Sequence, residues 1–221
     1  MWQALYDELK EQNFIVIAVA LDSEAEAARP WIEQAKPSYP VPVDTAHHLS
    51  ELYNLVNVPQ AVWIDEDGRI VRPPETAGVY ESFRSMDLAT RSIPEDEAAK
   101  SKRARELYLE ALRDWVANGP ASRFVLDAGS AQARLPQTTP QIVQAHAHFR
   151  LGQHLQGLGR EDEAQRQFAE ASRLHPDSWA IWRQAAAKNE IGLAAGPEFW
   201  ARVQALGEKR YYPPAEIEGM P

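Results

Sequence analysis

The sequence predicts an α/β domain followed by an all-helical one, and three observations carry that prediction. From residue 1 to about 90, apolar runs rich in β-branched residues alternate with stretches of helical spacing. Beyond that point only helical periodicity remains. The chain also has 221 residues, enough for two cores of ordinary size. The expected divisions are an α/β domain over 1–91, a long connecting helix over 92–119 and a helical domain over 120–221.

Taken in order, Trp2, Leu5, Tyr6 and Leu9 recur at helical spacing, and FIVIAVAL (Phe14 to Leu21) is apolar throughout, as a central parallel strand covered on both faces would be. Ser23 and Glu26 form an S-x-x-E pattern, which predicts a capping box opening a helix towards Ala35, bent or shortened by Pro30. PVPVD (Pro40 to Asp44) reads as a short edge strand because of its prolines, and HHLSELYNL as a short helix. AVWID and RIVRP flank Glu66, Asp67 and Gly68, a turn sequence that makes them an antiparallel hairpin. The predicted order is α-β-α-β-α-β-β-α. Ser92 to Gly119 follows as a long helix, with Pro94 near its first turn, acids early, and Leu107, Leu112 and Trp115 on an apolar side. Residues 120–140 read as a looser connection with a short helical piece near Phe124 to Asp127, and the YYPPAEIEGMP tail as poorly ordered.

The first part, with VPQAVWIDEDGRIV preceded by an apolar strand, a helix containing RPWIEQAKPSYPVPVD and a short helix ending YNLV, resembles the TlpA/ResA-like thioredoxin-fold family of thiol-disulfide oxidoreductases and their redoxin relatives. The resemblance implies a cis Val58–Pro59 bond, with the Val58 backbone exposed to pair with an extended substrate. It also implies a strand and a W-C-x-x-C-type loop ahead of the first helix. This sequence begins inside that helix and has no cysteine, so the expected thioredoxin-like domain is incomplete and no thiol chemistry is expected of these residues. Loss of that strand should leave a row of backbone groups unpaired on FIVIAVAL and AVWID, at about 1–3 kcal/mol for each buried orphan. A further expectation is an upstream segment carrying cysteine or selenocysteine, with a UGA codon read as a stop and the start placed at the next methionine.

HFRLGQHLQGLGREDEAQRQFAEASRLHPDS resembles a tetratricopeptide repeat: Leu151, Gly152, Leu155, Gly159, Ala164, Phe168, Ala171 and Pro176 fall at its signature offsets. DSWAIWRQAAAKNEIG opens a second copy that GLAAGP breaks off, so it reads as a capping helix. In such repeats the inner face of the first helix meets extended peptides. Carried onto this chain, that face is His146, Phe149, Gln153 and Gln156, followed by Arg183. The expected partners are a protein or peptide, held weakly, or a second copy of the chain. The competing expectation packs these side chains against the helix from Ser92 to Gly119.

Several classes of function are disfavoured. A formal net charge of -9 repels phosphate backbones, so nucleic acid is not an expected partner, and no apolar run is long enough to span a bilayer. MWQALYDELKEQ lacks the form of a secretory signal. His146, His148 and His154 do not share one helix face, so no metal is expected, and no cofactor motif is present. His47 and His48 open a helix and read as solvated or packed, while Asp65, Glu66 and Asp67 read as turn residues beside Gly68. Trp63 is left open, facing either the core or a redox cleft.

Overall fold

The computed structural model describes residues 1–190 and 192–221. Ile191, part of the expected second repeat copy, lies outside the described residues. In chain order the elements are α1 (Trp2–Leu9), β1 (Ala20–Leu21), α2 (Ala25–Ala35), β2 (Val43–Asp44), α3 (His48–Leu52), β3 (Gln60–Ile64), β4 (Ile70–Thr76), α4 (Glu95–Asn118), α5 (Ala128–Ala133), α6 (Pro140–Gly157), α7 (Glu161–Leu174), α8 (Trp179–Ala185) and α9 (Pro197–Ala205). The first eight follow the predicted order. Their contacts divide the chain into two compact units that interleave in sequence. Met1–Ile15, Pro59–Leu135 and Arg202–Pro221 form one, and Val16–Val58 with Pro136–Ala201 the other. This differs from the expected succession of 1–91, 92–119 and 120–221.

In the first unit, β3 and β4 form the expected hairpin. Gly68 takes φ +78° in the turn, and the Asp65 carboxylate accepts from the N–H groups of Asp67 and Arg69 at 3.1 and 2.7 Å. The register slips between Ala61 and Trp63, where Pro73 and Pro74 on the opposing strand have no N–H for the ladder. α4 is no bridge between domains. Leu107, Tyr108, Ala111 and Leu112 on its apolar side pack with Leu5 and Leu9 of α1 and with Trp63 and Val71 of the hairpin. Burial of that stripe is what a mixed helix of this kind gains from docking. Trp63 therefore faces the core: its indole N–H donates to the Tyr108 hydroxyl at 2.9 Å, and its ring stacks on Trp115 at 5.0 Å. The tail is ordered against expectation, because Ala215 and Ile217 are apolar enough to join this core. The helical piece expected near Phe124 to Asp127 starts later, at Ala128, where Asp127 caps α5 by accepting from the Ser130 N–H.

In the second unit, FIVIAVAL is not the long buried strand expected. Only Ala20–Leu21 is strand, paired in parallel with Val43–Asp44, while Ile17 is 59% exposed. The partner's prolines explain the shortness. Pro40 and Pro42 accept from the N–H groups of Ala18 and Ala20 at 3.1 and 3.0 Å but have no N–H to return. The two sheets hold two strands each, so no complete thioredoxin sheet is formed among the described residues. The capping box is also absent. Glu24 is the N-cap of α2 without a side-chain bond, and the Ser23 hydroxyl donates instead to Gln184 at 2.5 Å. Pro30 is carried within α2.

α6 and α7 form an antiparallel pair around Phe149, Ala164, Phe168 and Ala171. A Cβ placed on Gly152 would stand 2.7 Å from the Phe168 ring, so only glycine permits this approach. α8 adds Ile181 to the same core.

Candidate functional site

The side chains expected to line a groove do come to one face of α6 and α8, but that face is not open. Within the second unit it is covered by residues 45–57, which run from the end of β2 through α3. Phe149 is only 2% exposed, and His47 lies edge-on against its ring at 5.2 Å between centroids. Gln153 donates to the Thr45 carbonyl at 3.2 Å and lies 3.3 Å from Nδ1 of His47. Arg183 donates to the Asn57 side-chain oxygen at 2.9 Å. The Val56 carbonyl accepts from the N–H groups of Trp179 and Ala180 at 2.7 and 3.1 Å, two donors that the start of a helix leaves without intrahelical partners. His146 is buried and Gln156 half-buried. Within this unit the cover is thus the segment before Val58.

Backbone geometry shapes this segment. His47 and Asn54 both take left-handed φ, +55° and +48°, which lets the chain turn into α3 and out of it. Asp44 accepts from the N–H groups of His48 and Leu49 at 3.0 and 2.7 Å, satisfying the first turn of α3. Asn54 and Asn57, with Asp44, are the anchors that sequence reasoning missed. The signal present was two asparagines in YNLVN ahead of the Val58–Pro59 pair.

Three histidines meet around this face. His47, His146 and His175 are all buried, and among the described residues Nε2 of both His47 and His146 has no hydrogen-bond partner. The rings of His146 and His175 stand 6.2 Å apart, and Nε2 of His175 is 3.1 Å from the Asn54 side-chain oxygen. Burial holds all three below the ordinary imidazole range, because a charged ring loses water here without gaining a full counter-charge. Among the described residues, no group of three or more His, Cys, Asp or Glu side chains is placed to hold a metal ion. Among the described residues, no helix is long and apolar enough to cross a membrane.

Val58 ends the first segment of one unit, and Pro59 begins the second segment of the other. Val58 is exposed, and its N–H donates to the Asn57 side chain at 2.9 Å. Pro59 precedes β3, where its missing N–H costs no ladder bond, and its carbonyl accepts from the Ala77 N–H at 3.2 Å.

The helix–strand order of the first part is the one expected from the sequence. Residues 1–72 match the model of the AhpC/TSA family, redoxins of thioredoxin fold, over about a third of the 221 residues. No curated protein and no solved structure matches the chain. The likeness to redoxins is thus confined to the N-terminal third, and the remainder is largely helical.

Proposed function

We propose that this chain is a relative of the TlpA/ResA-like redoxins whose 221 residues carry no thiol chemistry of their own, and whose tetratricopeptide-like helices α6 to α8 bind protein in extended form. The redoxin kinship is supported by the AhpC/TSA match over residues 1–72, and the lack of a thiolate nucleophile by the absence of cysteine. One observation carries the binding reading: α6 and α8 already hold residues 45–57 through a backbone carbonyl, a side-chain amide and an aromatic contact. These are the contacts with which a groove holds a peptide. An incoming partner must displace this segment, so its apparent affinity is reduced by the fraction of time the segment stays docked.

A synthetic peptide spanning Asp44 to Val58 tests the reading. Added to the Asn57→Ala variant, whose own segment has lost its bond to Arg183, it is expected to bind more tightly than to the unaltered chain. Equal affinity for both, or binding that persists unchanged in an Arg183→Ala variant, contradicts it.

A further inference from the structure

The open edge of the stretch from Val16 to Leu21, of which only Ala20–Leu21 is strand, has the geometry of an unfinished sheet. In an extended chain the N–H and C=O of one residue point to the same edge, and those of the next to the opposite one. Ala18 and Ala20 use their N–H groups towards Pro40 and Pro42. Ile17 and Val19 therefore direct theirs away from β2, and among the described residues no backbone hydrogen bond involves either. The Ile17 side chain is 59% exposed beside this row. No charge interrupts Phe14 to Leu21, and the stretch lacks the lysines, prolines or bulges that usually blunt an edge.

We propose that this edge pairs with the same edge of a second copy of the chain, antiparallel, about a two-fold axis passing through Ala18. In that register Ile17 of one copy lies opposite Val19 of the other. Both are residues whose N–H and C=O face the edge, so each pair exchanges two hydrogen bonds and all four open residues are satisfied at once. The alternation places the exposed Ile17 side chain beside a β-branched valine, a favourable cross-strand pair. A second copy is the fitting occupant because the stretch is its own complement. A strand bearing a charge opposite Ile17 would have to strip that charge of water against an apolar surface. Strand-edge pairing of so few residues buries little area, so the dimer is weak and concentration-dependent.

Sedimentation velocity across a dilution series tests this, with amide exchange at Ile17 and Val19 as the backbone readout. The unaltered chain is expected to move from a mass near 24.8 kDa towards twice that as concentration rises, with slowing exchange at both amides. Ile17→Lys, which puts a charge on the edge, and Val19→Pro, which deletes one edge donor, are each expected to keep the chain monomeric. Leu158→Lys, at an exposed leucine outside the strands, is expected to leave association unchanged. Circular dichroism establishes that the variants fold. A chain monomeric at every concentration overturns the proposal, as does a dimer that both edge variants preserve or one in which Ile17 and Val19 exchange freely. Binding of a foreign strand peptide without self-association also overturns it, since it assigns the edge to a different partner.

Discussion

At the scale of single residues, the buried histidines make a signed prediction. Each of His47, His146 and His175 has its folded-state pKa lowered from 6.5, first by loss of solvent. Asp44 and Asp22 oppose that shift at His47 while Lys188 adds to it. Glu51 opposes it at His146 and Arg150 adds to it, and at His175 the opposing Asp177 faces the added effect of His146. The unfolded chain consequently binds more protons once pH falls below 6.5, and stability conferred by the neutral rings is complete above that value and lost below it until the folded pKa values are passed. Within that window one histidine contributes a slope of up to about 1.4 kcal/mol per pH unit. Urea melts between about pH 7 and about pH 5 should show falling stability, and His146→Leu should make the fall shallower. A flat profile, or one unaltered by His146→Leu, contradicts the burial of these rings. A second residue-scale test uses Gly152, where a methyl group must displace the buried Phe168 ring. Gly152→Ala should lower stability by about 1–3 kcal/mol, the usual range for overpacking, as read by thermal melting. No loss would mean that α6 and α7 do not approach as described.

At the scale of elements, what could be read from the sequence was what depends on near neighbours. Gly152, Ala164, Phe168 and Ala171 specify a helix pair within some thirty residues, and the Asp65 to Gly68 turn specifies its hairpin. The strand reading of FIVIAVAL failed because strand length depends on a distant partner, and here Pro40 and Pro42 supply acceptors without donors. α4 illustrates the same limit. Its apolar stripe was visible in Leu107, Leu112 and Trp115, but periodicity does not name the surface that a stripe covers. At the candidate groove the helical spacing put His146, Phe149, Gln153 and Gln156 on one face of a helix, while the segment that covers it, held by Asn54, Asn57 and the His47 ring, is set by contacts about a hundred residues apart. The capping box failed for a long-range reason too, since Ser23 spends its hydroxyl on Gln184, 161 residues away.

For the molecule as a whole, a redoxin-like segment without cysteine should transfer no electrons through a thiol. The purified 221 residues are expected to show no disulfide reduction or peroxide consumption with dithiol reductants. Turnover well above the buffer blank would reveal a nucleophile that the sequence does not contain. The central claim is instead that the helical face holds a segment of the chain as it would hold a partner, and amide exchange at Trp179 and Ala180 reads that most directly. Both N–H groups open α8, and both donate to the Val56 carbonyl. If residues 45–57 dock as described, both amides are protected in the unaltered chain and lose protection in Asn57→Ala, while the amides within α7 keep theirs. Equal exchange at Trp179 and Ala180 in the two proteins would contradict the account.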